Sequence, residues 1–175
     1  DPKRRPRFSE LLPMLMLSVN GTGFNPVFLG YRVSSDSQLA ERLYDKLVSK
    51  GLKVWWDVKS LAAGQKWEDG FADGLKHSKV FVPLLSRGAL STFATLTPES
   101  NPDNVLLEHL MALEFKLRGD LTHIFPVLVG DLENHPQLGG EVYGDFFQNG
   151  CVPQCPDVVV RSLDEKFKAH LQRMG

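Results

Sequence analysis

The sequence predicts an open, doubly wound α/β sheet with helices on both faces. Short apolar runs alternate with longer amphipathic stretches along most of the chain, the pattern of parallel strands joined by helical crossovers. One run, Val80-Phe81-Val82-Pro83-Leu84-Leu85, is apolar at every position, as a strand covered from both sides must be. A chain of 175 residues suits one domain with a short appendage, large enough to hold its core without disulfide or metal.

The elements are expected in the following order. Val27 to Tyr31 forms the first strand, entered through the turn-rich stretch Asn20 to Pro26. Asp36 or Ser37 caps a helix whose apolar positions Leu39, Ala40, Leu43, Tyr44, Leu47 and Val48 recur at helical spacing, and Gly51 stops it. Leu52 to Trp56 is the second strand, closed by Asp57. A loop from Val58 to Lys66 precedes a short helix, Trp67 to His77. The third strand, Val80 to Leu85, should be irregular or nearly finished at Pro83, which has no N–H to give the ladder. Gly88 to Asp103 reads as a long functional or mobile loop, Val105 to Arg118 as a helix and Ile124 to Val129 as the fourth strand. Gly130 to Pro156 is weakly patterned, with one short helix expected. Asp157 to Val160 is expected as the fifth strand and Leu163 to Arg173 as the last helix.

Bulk properties exclude several functions. A net charge of -1 argues against a general binder of nucleic acid or anionic membranes, which needs surplus Lys and Arg. Leu11 to Val19 is too short to span a bilayer, is broken by Pro13 and lacks a signal-peptide cleavage pattern. Cys151 and Cys155, the only cysteines, are expected as free thiols of an intracellular, cytoplasmic protein. Gly21-Thr22-Gly23 precedes a strand instead of following one, so it is no dinucleotide fingerprint, and the five His have no metal-ligand spacing.

Val27-Phe28-Leu29-Gly30-Tyr31-Arg32 resembles the first strand of TIR (Toll/interleukin-1 receptor) domains, which ends in Ser-Tyr-Arg or Ser-Phe-Arg. Ser34 to Ala40 opens the first helix as in that family. Gly51-Leu52-Lys53-Val54-Trp55-Trp56-Asp57, with Leu61 and Gly64, is similar to the second strand and BB loop. Ser78 and Val80 to Ser86 match the third strand, and Arg87-Gly88-Ala89-Leu90 continues as in TIR domains that cleave NAD. The resemblance implies a flavodoxin-like sheet of five parallel strands in the order 2-1-3-4-5, within a TIR domain over residues 26–175. Residues 1–25 carry a second resemblance. Asp1-Pro2-Lys3-Arg4-Arg5-Pro6-Arg7-Phe8 is similar to the closing Asp-Pro-x-x-Arg-Pro-x-Phe motif of a protein-kinase C-lobe, which implies the remnant of a kinase domain plus linker. A basic, unstructured leader is the alternative.

Glu108 is the candidate catalytic residue. It falls in the first turns of the helix after the long loop, and ligands of open α/β sheets bind beyond the carboxyl ends of the strands. NAD-cleaving TIR domains carry their catalytic glutamate at the matching position. The chemistry suits one carboxylate: nicotinamide leaves as a neutral molecule, and an anion stabilises the oxocarbenium character left on the ribose. The helix dipole is expected to keep Glu108 ionised. The alternative is an ordinary acidic residue near a helix start.

By the same resemblance Tyr31, Arg32 and Asp57 frame the nucleotide. Trp67 is either an aromatic wall or an apolar residue opening a packed helix. NAD is implied as substrate, with no cofactor or metal. Other TIR domains are implied as partners, in a homo-oligomer on activation, with Leu61 and Gly64 in the contacting BB loop. Two departures stand out. Asn104 occupies the place where NAD-cleaving relatives usually carry Trp, and Val33 stands where one such relative has a second Arg. Two functions follow: an enzyme releasing nicotinamide and ADP-ribose or its cyclic form, or a non-catalytic adaptor acting through TIR–TIR contacts. A receiver domain fits worse, because its paired acidic residues and Lys cannot be placed.

Overall fold

A computed structural model describes residues 26–60, 67–130, 132–134, 141–143 and 153–174, together with Pro13 and Phe147. The kinase-like segment and the BB-loop residues Leu61 and Gly64 lie outside the described residues.

The described elements run β1 (Val27–Gly30), α1 (Val33–Ser49), β2 (Val54–Trp55), α2 (Asp57–Ser60), α3 (Trp67–Lys76), β3 (Val80–Leu85) and α4 (Arg87–Leu90). A 3-10 turn (Ser91–Thr95), α5 (Asn104–Arg118), β4 (His123–Ile124), β5 (Val127–Leu128), β6 (Leu132–Asn134), β7 (Glu141–Tyr143) and α6 (Asp157–Met174) complete the order. Five strands form one sheet in the order β2-β1-β3-β4, with β5 also beside β3, and every pair is parallel. The flavodoxin-like α/β architecture and the start of its strand order are as the sequence predicts.

Alternation along the strands separates two cores. Val27, Leu29, Val80, Val82 and Leu84 face one way and pack with Ala40, Leu43 and Leu47 of α1. Phe28 and Phe81 face the other way, onto Phe71, Ala72 and Leu75 of α3 and Met111, Ala112 and Phe115 of α5. A satellite cluster joins Ala89, Leu90 and Phe93 to Val105, Leu106, Val159 and Leu163 beneath the long connection.

Several expectations are corrected. Asp157 to Val160 is not a strand but the first turn of α6. Its three valines carry high strand propensity, yet Val159, Leu163 and Phe167 recur at helical spacing and are all buried. The fourth strand is split, because β3 pairs with β4 through Val80 and Phe81 and with β5 through Leu84 and Leu85. Pro83 lies at the break, but β3 itself runs on to Leu85.

The first helix starts at Val33, earlier than the Asp36 or Ser37 cap predicted. Asp36 is instead buried inside the first turns and accepts a 2.8 Å hydrogen bond from Ser86 Oγ. Four consecutive cap-competent residues, Ser34 to Ser37, hid the true start. Val48, assigned to the apolar face, is largely exposed. Gly51 does end the helix, at φ +83°, a conformation that favours glycine.

The stretch Gly88 to Asp103 holds a helical turn and a 3-10 turn, so it is less irregular than its composition suggests. Within 130–156 the described secondary structure is the antiparallel pair β6–β7, not a helix. Cys155 is a free, half-buried thiol, while Cys151 lies outside the described residues. Among the described residues no helix is long and apolar enough to cross a membrane, and no cluster of potential metal ligands occurs.

Candidate functional site

β1, β2 and β3 all run in one direction, so their carboxyl ends open on one edge of the sheet. A cleft of about 330 Å³ lies at the end of β1, lined by Tyr31, Arg32, Trp55, Asp57, Asn104 and Glu108 among others. Of the residues predicted for the site, Tyr31, Arg32, Asp57 and Glu108 therefore meet there. Trp67 opens α3 as expected, but its side chain lies outside the described residues.

Tyr31 leaves the end of β1 and donates from its hydroxyl to Asp57 Oδ1 at 2.9 Å. The same oxygen accepts the Val58 N–H at 2.8 Å, which orients Asp57 at the start of α2. Burial and this acceptor push the Tyr31 hydroxyl well above the ordinary phenol range, so it stays a donor at neutral pH.

Arg32 lines the cleft, and its guanidinium is engaged within the protein. Its Nη1 donates to Asp103 Oδ2 at 2.8 Å and its Nη2 to Asp103 Oδ1 at 3.0 Å, a two-pronged fork. Nη2 also reaches the Ala89 carbonyl at 2.9 Å and Thr92 Oγ1 at 3.0 Å. Both terminal nitrogens thus serve the protein, and only Nε lacks a partner among the described residues. Asp103 in turn caps α5 by accepting the Leu106 N–H at 3.0 Å. The chain of contacts β1–Arg32–Asp103–α5 sets where the start of α5, and with it Glu108, stands.

Glu108 is 8% exposed, and its Oε2 has no hydrogen-bond partner among the described residues. Burial, reinforced by the negative charge of Asp57 and only partly offset by Arg32, holds its carboxyl well above the usual carboxylate range. This direction runs against the expectation that the helix dipole keeps Glu108 ionised. The dipole field fades beyond the first turn, and Glu108 already sits past it, in a place without donors. His109, beside it in sequence, turns away to lie edge-on against Phe81 and Phe93, and burial pushes it down to about 4. It is a neutral packing residue at pH 7.

Sequence reasoning missed Asp103 and Trp55. Asp103 carried a signal, a cap-type residue directly before the apolar run of α5. Trp55 stacks on Phe28 at a centroid distance of 4.3 Å and an interplanar angle of 9°. Gly74 also lies close against its ring, and Trp55 borders the cleft where Asn104 is exposed at the start of α5. Nothing in a run of two tryptophans says which one faces the cleft.

A parallel flavodoxin-like sheet with a carboxylate cleft at the end of its first strand is common to several classes of α/β domain, TIR domains among them. The family model for the TIR domain matches residues 27–155, and the chain belongs to that family. Over 64 residues, 37% of this chain, it is 41% identical to the NAD(+) hydrolase sarm1 of Drosophila melanogaster. That stretch spans only 5% of the fly protein's length. Among solved structures, the TIR domains of the activated Roq1 resistosome align with a TM-score of 0.50 at 22% identity, covering 63% of this chain and 60% of that one. A metazoan TIR-STING receptor from C. gigas aligns at 0.46 and 19% identity, over 79% of this chain and 39% of the other.

Proposed function

We propose that this TIR domain cleaves NAD to nicotinamide and ADP-ribose, or its cyclic form, with Glu108 as the catalytic carboxylate. The observation that carries the reading is the position of Glu108: buried in the wall of the cleft, with an oxygen that no described residue hydrogen-bonds. The partial identity to an NAD(+) hydrolase supports the substrate.

In the bond to be broken, the nicotinamide nitrogen carries a positive charge. A cation entering the cleft favours the ionised form of Glu108 and so draws off its proton. As the ribose C–N bond breaks, the bonding electrons leave with nicotinamide, which becomes neutral, and positive charge spreads over the ribose. The Glu108 carboxylate faces that charge from the wall of the cleft, where its attraction is stronger than in bulk water. Water then adds to the ribose and loses a proton, or a ring nitrogen of the substrate's own adenine adds through its lone pair and takes over the positive charge. The Tyr31 oxygen, its proton given to Asp57, and the other Asp57 oxygen offer acceptors for the ribose hydroxyls, and Trp55 borders the cleft beside them. Arg32 acts by holding α5 in place rather than by binding phosphate. Activity is expected on self-association through the BB loop, residues 58–66.

The test is nicotinamide release from NAD by the protein clustered on a surface, compared with Glu108→Ala. Turnover lost in the variant supports the reading, and no turnover by the clustered wild type overturns it. A second reading, a non-catalytic adaptor acting through TIR–TIR contacts, is favoured by the commitment of Arg32 to Asp103 and by Asn104. It predicts that changes at Leu61 or Gly64 abolish partner binding while Glu108→Ala leaves signalling intact.

A further inference from the structure

Gly30, at the end of β1, lies directly behind Glu108. A Cβ built on it would stand 2.7 Å from Phe81 Cε2, 2.9 Å from Glu108 Oε2 and 3.0 Å from Phe81 Cζ. The first two separations are shorter than a Cβ tolerates and the third is tight, so a side chain here must shift both the Phe81 ring edge and the Glu108 carboxyl. Phe81 is 1% exposed and is held between Phe28 and His109 at centroid distances of 5.8 and 5.9 Å, on a strand paired to both β1 and β4. Its ring has nowhere to go. Glu108 ends in a flexible carboxyl bordering an open cleft. A side chain at position 30 therefore strains the Phe81 ring and, separately, displaces the Glu108 carboxyl.

We propose that Gly30 is the positioning residue for Glu108: the absence of a side chain there lets the carboxyl retreat against β1, where Oε2 meets no donor. This rests on the reading of Glu108 as the catalytic residue, and deepens it. In the retreated position the charged groups facing the carboxyl are Asp57 from α2, Asp103 from the connection before α5, and Arg32 from the end of β1. Arg32 is forked onto Asp103, so its charge is largely answered there. Tyr31 and His109 are neutral. Among the described residues the balance makes Glu108 hold its proton more tightly than a carboxyl in water does. Gly30 thereby sets the pH at which the domain gains its catalytic anion. A side chain at position 30 pushes the carboxyl into the cleft, where water solvates the anion and the group ionises more readily.

The experiment follows the Glu108 carboxyl by carbon-13 NMR across pH in the full chain, assigned with Glu108→Gln, alongside the pH dependence of NAD cleavage by the clustered protein. Gly30→Ala alone is expected to lose stability through Phe81, so the decisive pair is Phe81→Leu against Gly30→Ala/Phe81→Leu. The double variant is expected to titrate lower than Phe81→Leu by about one pH unit or more, with the acid limb of cleavage moving equally. An unchanged midpoint overturns the role of Gly30, even if Glu108→Gln abolishes cleavage. A lowered midpoint with no cleavage by any variant keeps the positioning role and removes the catalytic one.

Discussion

Asp103 and Glu108 stand close together at the start of α5, both nearly shut off from water, and in opposite condition. The Asp103 carboxylate accepts both prongs of Arg32, the Leu106 N–H and a 3.3 Å contact from Thr92. Among the described residues Glu108 has an oxygen without a donor and two aspartates for neighbours. A matched buried charge fixes a helix start, while an unmatched one raises the energy of the folded domain and is retained where it reacts. The difference separates the part of the cleft that holds its shape from the part that can do chemistry.

The largest effect is expected from breaking the matched side. Asp103→Ala removes the cap of α5 and strands Arg32, whose side chain is only 16% exposed, at a cost of about 3 kcal/mol or more. Chemical denaturation measures it. Asp103→Asn keeps the cap but not the charge and should cost less.

On the unmatched side, Glu108→Gln should lower nicotinamide release by at least about a hundredfold if charge stabilisation is its role. Its stability effect should run the other way from that of Asp103→Ala. Glu108→Met replaces an unpaired buried carboxyl with an apolar group of similar length and should gain about 1 kcal/mol at neutral pH.

The pH dependence has a definite sign. The folded state holds the Glu108 proton more tightly than the unfolded chain, whose value is near 4.5. Below that value both states are protonated and Glu108 carries no penalty. As pH rises from there toward the folded value, only the unfolded state releases its proton, and stability falls. Melting temperatures of wild type and Glu108→Gln should therefore diverge as pH rises through this window and run parallel below it. Equal profiles would remove the claim that Glu108 is destabilised by burial.

The smallest effect is expected at Asp57. Asp57→Asn removes the charge that reinforces burial at Glu108 while keeping an acceptor for Tyr31. Stability should change by no more than about 1 kcal/mol, and the Glu108 midpoint should fall.

What was legible in the sequence follows what each residue interacts with. The β1 run, the helical spacing of Leu43 and Leu47 and the stop at Gly51 depend on local periodicity and backbone freedom, and they stand as predicted. The gathering of Tyr31, Arg32, Asp57 and Glu108 follows from their places at strand ends and helix starts on one edge of the sheet. The misread features depend on long-range packing. Val158-Val159-Val160 carries strand propensity but is helical because Val159 packs beneath the Gly88–Asp103 connection. Asp36 looks like a cap but is claimed by Ser86 across the fold. Arg32 looks free for a phosphate until Asp103 is seen beside it, and the ionisation of Glu108 depends on Asp57, Asp103 and the space left by Gly30.

The most direct test of the central claim is a crystal structure of Glu108→Gln with NAD bound. The account predicts the ribose carbon that bears nicotinamide beside residue 108, with a ring of the substrate against Trp55 and the Arg32–Asp103 fork intact. NAD bound elsewhere, or Arg32 released from Asp103 to grip the phosphates, would contradict it.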